Sequence, residues 1–368
     1  MSIEIRPVEN KKDLAAFHAL PATVYASDAF HIPSRDAVPE GERLLLAYEN
    51  GETVARCQAR MQSGSDEIGT IGLFQALHRG EAVAALLKNA AGFLMETGAK
   101  KIIGPMDGDT WHTYRVNLGP FDKAPFLKEP WNPPYYDKLW IDSGFKVAEK
   151  YDSYIVDDPM SAARNQEKFY KRCVRNGFRF SPVTMKNYFD ILPDIHKLSR
   201  MVFDKNKFYT SIDLEEFTRL YRPAAPLLKT GLSWTAFDSE GVLAGYVFTF
   251  PDYADAARAM NGKTGILAKV RFALNRHKAR RTCMKTLGVA PRRRGSGLTA
   301  ALTYLSFKNS AELGYEHTLM CLMHKENDSR RFSGGAHRHF RDYALYEYHG
   351  GEGGKTTVGS TPSGEKRL

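Results

Sequence analysis

The feature that most constrains this chain is an internal repeat of local patterns. Residues 44–47 and 54–61 are apolar stretches joined by Glu49-Asn50-Gly51-Glu52, and Asn-Gly supplies the positive φ angles of a tight hairpin turn. Residues 232–237 and 242–250 repeat the pattern about Asp238-Ser239-Glu240-Gly241. Each hairpin is followed by a strand, an amphipathic helix, a glycine and another apolar strand. The helices are expected near 81–97, with Val83, Leu87, Ala90 and Leu94 on one face, and near 297–313, with Leu298, Leu302, Leu305 and Leu313 inward. Gly98 and Gly314 stand where a helix C-cap favours a left-handed residue, and strands follow at 101–105 and 317–323. The order predicts an α/β (α+β) chain of two similar domains, 1–157 and 163–349, each a mixed central sheet flanked by helices. The offset between copies grows from 190 at Gly51/Gly241 to 216 at Gly98/Gly314, so the second copy has gained 26 residues, placed at about 256–282.

That insertion is where the charge lies. The 368 residues hold 52 Lys+Arg against 42 Asp+Glu, a formal +10. No acidic residue occurs between Asp255 and Glu312, a stretch with 13 Lys and Arg, and the rest of the chain is slightly acidic. A localised excess points to a local anion site. At 43% hydrophobic residues the chain can bury a large core, which excludes disorder as its main state. Cys57, Cys173, Cys283 and Cys321 show no CxxC or metal-ligand spacing, so buried thiols and no metal are expected. The N-terminus lacks the apolar core of a signal peptide and no run is long enough to span a bilayer, so a soluble, cytoplasmic protein is expected. Residues 350–368 are Gly/Ser/Thr-rich and read as a disordered tail.

One segment carries a chemical signature. A strand at 285–290 leads into Pro291-Arg292-Arg293-Arg294-Gly295-Ser296-Gly297-Leu298 and then the long helix. Glycines let several N–H groups face one point, and the helix N-terminus adds partial positive charge. The arginines add full charges, which suits a diphosphate. Neither GxxxxGK[ST] nor GxGxxG is present.

At this point the sequence resembles the GCN5-related N-acetyltransferase superfamily, whose acyl-CoA motif, Arg/Gln-x-x-Gly-x-Gly/Ala at a strand–helix junction, is matched by Arg292 to Gly297. With the first half as a degenerate copy, the whole chain resembles tandem acyltransferases. The resemblance implies acyl-CoA as co-substrate, pairing of its pantetheine arm with backbone at Leu287 and Val289, and a diphosphate cradle of N–H groups from Arg293 to Leu298. It also implies a cofactor contact at Asn327. Shifted by 216, the motif positions fall on Ala76, Arg79 and Glu81. Both glycines are gone and a carboxylate opens the helix, so the first domain is expected to form an acceptor-pocket wall and not to bind CoA.

The tyrosine that often serves this family as acid is missing, its places being Gly334, Gly335 and Ala336. Tyr343 or Tyr346 is the substitute candidate, and His324, at the end of a strand, is the candidate base. The loop 107–115 and the aromatic, basic stretch 203–209 are candidate acceptor contacts. The expected function is N-acylation of a small-molecule amine. The alternatives are transfer from aminoacyl-tRNA or from an acyl carrier protein engaging the basic insertion, and a non-catalytic acyl-CoA sensor. No DNA partner is expected.

Overall fold

The computed structural model describes residues 2–33, 43–326 and 337–349. The first half runs β1 (Ile3–Pro7), α1 (Lys11–Val24), β2 (Arg43–Glu49), β3 (Glu52–Met61), β4 (Ile68–Ala76), α2 (Gly80–Glu96), β5 (Lys101–Gly104), β6 (Val116–Gly119), α3 (Tyr136–Asp142) and β7 (Lys146–Val156). The second begins with α4 (Pro159–Arg175), β8 (Arg179–Pro182), α5 (Tyr188–Phe203), α6 (Leu214–Tyr221), β9 (Trp234–Phe237) and β10 (Leu243–Pro251). It continues with α7 (Ala254–Met260), α8 (Ile266–Asn275), β11 (Arg281–Val289), α9 (Leu298–Glu312), β12 (His317–His324) and β13 (Arg338–His349). Asn50 and Gly51 take φ of 50° and 87°, and their turn sets β2 against β3 in antiparallel register.

The strands form one mixed sheet in the order β1-β2-β3-β4-β5-β13-β7-β12-β11-β10-β9-β8, with β6 beside β13. Replacing β1–β5 and β7 by β8–β12 and β13 maps this order onto itself read backwards, so the repeat in sequence is a pseudo-twofold in topology. Each half lends its last strand to the other. Strand β7 pairs with β12, β13 pairs with β5, and the two lie antiparallel at the centre. The mixed central sheets expected of the two halves are therefore continuous as one.

The repeated helices bury the faces that their spacing predicts. Val83, Leu87, Ala90 and Leu94 of α2 are fully buried, as are Leu298 and Leu302 of α9, with Leu305 nearly so. Full burial of such a leucine contributes about 1.5–3 kcal/mol. Leu313 is a correction: it caps α9 from outside the last turn and is 42% exposed. Helix α4 packs along α9 and starts at Asp158, whose carboxylate caps it by accepting the Ser161 N–H at 2.9 Å. The extra length of the second half is α7, α8 and their flanks: residues 252–280 join β10 to β11, whereas 62–67 join β3 to β4.

Candidate functional site

Strands β11 and β12 run parallel and pair only from Arg281↔His317 to Met284↔Met320. Beyond that they part, while β11 stays bonded to β10 on its other edge through Val289↔Gly245. Among the described residues, the edge of β11 from Lys285 to Val289 that faces the gap has no backbone partner. The first half opens at the equivalent place, after Thr70↔Ile103. There the chain fills its own gap. Met106 N–H donates to Ile71 O at 2.8 Å, and the Asp107 carboxylate accepts Leu73 N–H at 2.7 Å. The Tyr136 hydroxyl accepts Ala76 N–H at 2.8 Å, and that of Tyr135 donates to Ala76 O at 2.9 Å. Gly72 permits the closure, since a Cβ there would lie 2.5 Å from Met106 O. One splay is plugged and the other is open.

At the open splay the backbone leaves β11 through a 3-10 turn at Pro291–Arg293 and enters α9 with Gly295 and Gly297 at φ of 77° and 88°. The N–H groups of Arg293, Arg294 and Ser296 are used within the turn, and that of Leu298 donates to Ser296 Oγ at 3.3 Å. Those of Gly295, Gly297, Thr299 and Ala300 have no partner among the described residues. The free donors thus lie a little further along the chain than expected, and Leu298 contributes its side chain to the core. Ser296 holds the turn, donating to Arg293 O at 2.7 Å.

The three arginines divide. Arg292 and Arg293 both reach Asp238, at 3.1 and 2.8 Å, which stands in the turn of the second hairpin. The Arg293 hydrogen bond holds this buried carboxyl below its usual range. Arg294 is exposed and makes no ion pair among the described residues. The glycines divide as well. Nothing lies within 4 Å of a Cβ built on Gly295, whereas one on Gly297 would lie 2.5 Å from Arg172, which donates to Ser296 O at 2.9 Å. Gly297 lies against the Arg172 and Phe169 side chains of α4, and Gly295 faces open space. No acid stands in the first turn of α9, while Glu81 stands in that of α2.

His324 closes β12 at the far side of the splay. Its Nε2 is 2.5 Å from a carboxylate oxygen of Glu149, and its Nδ1 accepts Glu326 N–H at 3.2 Å. Glu149 comes from β7, the strand lent by the first half, and its other oxygen pairs with Lys207. Burial alone would lift the Glu149 carboxyl, but the hydrogen bonds from Lys207 and His324 outweigh it and leave the group below its usual range. The His324 ring meets Tyr151 edge-on at 5.2 Å, and Arg115 lies over the Tyr151 ring at 3.9 Å. The loop 107–115 and the stretch 203–209 converge here: Trp111 Nε1 donates to Thr210 O, and Gln62 Nε2 to Phe208 O, each at 2.8 Å. Glu149 is invisible in the sequence because its strand carries no motif and its partners, His324 and Lys207, come from two distant segments.

No family model matches the chain. It is 28% identical to Protein YghO of Escherichia coli (strain K12) over 152 residues, a match that takes in 36% of this chain and 38% of that protein. Among solved structures, a tandem GNAT protein from the clavulanic acid biosynthesis pathway superposes with a TM-score of 0.52 at 11% identity, over 96% of this chain and 100% of that one. The chain has the tandem GCN5-related N-acetyltransferase fold. A GCN5-related N-acetyltransferase from Sphaerobacter thermophilus agrees, with a TM-score of 0.52 at 11% identity over 94% and 95% of the two chains. So does the GCN5-related glucosamine N-acetyltransferase region of a fungal multi-domain GH3 β-N-acetylglucosaminidase, at 0.55 and 13% over 94% of this chain and 38% of that one.

Within this tandem GNAT fold the two candidate acids are core residues. Tyr343 is fully buried, its hydroxyl donating to Glu129 and lying 3.1 Å from Ser153 Oγ. Burial, reinforced by Glu129, raises it well above a normal phenol. Tyr346 is buried in the first half, stacked on Trp140 at 5.9 Å and bonded to Asp137. The sequence reading could not anticipate this, because strand exchange carries β13 between β5 and β7. Asn327 lies outside the described residues, as do 334–336 and the 350–368 tail. Asp107 accepts Leu73 N–H from β4, and Asp109 accepts Trp111 N–H and meets His112 within the loop. The basic insertion enters from the end of β11 opposite the Gly295 loop, about 30 Å away at a rise near 3.3 Å per residue. It therefore does not adjoin the Gly295 loop.

Proposed function

We propose that this protein is an N-acyltransferase that moves an acyl group from acyl-CoA to the amine of a small molecule. The observation that carries the reading is the contrast between the two splays: one is sealed by its own backbone and tyrosines, while the other presents a bare strand edge and four free N–H groups. In this reading the pantetheine arm adds to the β11 edge from Lys285 to Val289. The diphosphate takes the N–H groups of Gly295, Gly297, Thr299 and Ala300, with Arg294 as counter-charge.

The amine enters past Arg115, Tyr151 and Lys207. Its nitrogen attacks the thioester carbonyl, the C–N bond forms and the C–S bond breaks. The amine proton passes to His324 Nδ1 once the Glu326 N–H is displaced, and Glu149, held as a carboxylate, stabilises the imidazolium. With Tyr343 and Tyr346 buried, the departing thiolate takes its proton from solvent. The roles proposed for the two halves follow: the second binds the donor, and the first supplies the acceptor wall through β7 and loop 107–115.

The test is thiol release from acetyl-CoA and longer acyl-CoAs across a panel of amines. Free CoA appearing only when an amine is present supports the proposal. Binding of acyl-CoA without turnover on any amine would favour a sensor. Transfer from charged tRNA or loaded carrier protein, with none from acyl-CoA, would overturn the choice of donor.

A further inference from the structure

Of the 13 bases that give the chain its excess, six make ion pairs among the described residues, and a seventh, Lys285, is tied to a backbone carbonyl. Arg258 meets Asp255, Arg280 meets Glu316, Arg281 meets Asp252, and Lys285 donates to Leu127 O. Apart from Arg294 and Lys285, those of the 256–294 stretch without an ion pair among the described residues are Lys263, Lys269, Arg271, Arg276 and Lys278. All five are exposed and all lie on or beside α8.

The helix they surround is apolar on two sides. Ala268 is buried and Phe272 packs inward, near the Tyr253 ring at 5.5 Å. The opposite side is bare: Ile266 is 83% exposed, Leu267 65%, Leu274 63% and Val270 46%. At about 100° per residue, these four and Ala273 span an arc of about 120°, with Lys269 just beyond one border and Arg271 just beyond the other. Five uncompensated cations around a bare aliphatic ridge complement a surface that is both anionic and apolar beneath. Nucleic acid meets the charge but offers nothing to aliphatic side chains, and the ridge carries no aromatic ring for stacking bases.

We infer that α8 is an interfacial anchor that docks this protein on an anionic lipid surface, with Ile266, Leu267, Val270 and Leu274 entering the headgroup–acyl boundary and the surrounding lysines and arginines meeting lipid phosphates. No helix among the described residues is long and apolar enough to cross a membrane, so the association is peripheral. The inference is independent of the acyl-donor reading, because α8 lies at the other end of β11 from the Gly295 loop.

The test is co-sedimentation of the full chain with phosphatidylcholine vesicles, with and without about one third phosphatidylglycerol. Binding to the anionic vesicles alone, weakened by salt, is expected. The Leu267→Asp/Leu274→Asp variant should bind at least about tenfold more weakly, and Lys269→Glu/Arg271→Glu similarly. Both leucines are largely exposed, so folding should survive; circular dichroism checks it, and the milder Leu267→Ser/Leu274→Ser pair should also lose binding. The inference is overturned by any of four results: no binding to either vesicle, equal binding by the aspartate variant, tight binding to RNA or an acidic carrier protein without binding to vesicles, or a vesicle-free dimer that the aspartate pair dissociates.

Discussion

Substituting Gly295 with glutamate isolates the electrostatic part of the donor loop. At φ of 77° a side-chain-bearing residue incurs the left-handed backbone penalty, about 1–2 kcal/mol, and nothing within 4 Å of the new Cβ adds a clash. A domain of ordinary stability tolerates that. The carboxylate, however, stands beside the free N–H groups of Gly295, Gly297, Thr299 and Ala300. Placed about 5 Å from a diphosphate bearing roughly two negative charges, it is repelled by about 1.7 kcal/mol at the dielectric of water and about twice that at half the dielectric. That corresponds to a loss of affinity of about fifteenfold to two hundredfold. Gly295→Ala carries the same backbone penalty without the charge and should bind CoA within about threefold of wild type. Isothermal titration of CoA against the three proteins reads the difference. Equal losses for alanine and glutamate would mean that backbone geometry and not charge decides, and no loss for glutamate would remove the diphosphate from this loop.

Gly72→Ala pushes a methyl group against Met106 O and should destabilise the chain by about 1–3 kcal/mol in urea denaturation while leaving CoA affinity unchanged, because that splay is filled by the chain's own backbone and side chains. Tyr343→Phe should cost about 1–3 kcal/mol of stability through its lost bonds to Glu129 and Ser153, yet keep turnover within a few-fold; loss of turnover in a folded variant would reinstate it as the acid. The hydrogen bond to Asp109 raises His112 above its ordinary value of about 6.5, so the pair's stabilisation is complete below that pH and fades as pH rises through the raised value. Thermal melts at about pH 6 and pH 8 should therefore show a decline in wild type that His112→Gln lacks; an unchanged slope would refute the linkage.

The sequence made local structure legible where a residue type has a local reason. Asn50-Gly51 demands its turn, the helix faces follow from leucine and alanine spacing, and Gly295 and Gly297 mark a loop that only left-handed residues can form. It was silent on strand exchange, since β7 and β13 carry the same kind of alternation whichever sheet receives them. That one non-local event decides the rest of the candidate site. It brings Glu149 to His324, buries Tyr343 and Tyr346, and makes one wall of the site from the half without a donor loop. The charge count found the basic segment but not its place. Only the run of β11 shows that Arg294 and the α8 cluster stand at opposite ends of a strand.

In the proposed function, two repeats of one fold have diverged into one donor site and one sealed counterpart. Native mass spectrometry of the intact chain with CoA and acyl-CoA counts sites directly. The account predicts one molecule bound per chain, lost in Gly295→Glu and retained in Gly72→Ala. Two bound molecules, none, or a single one that survives Gly295→Glu would contradict it.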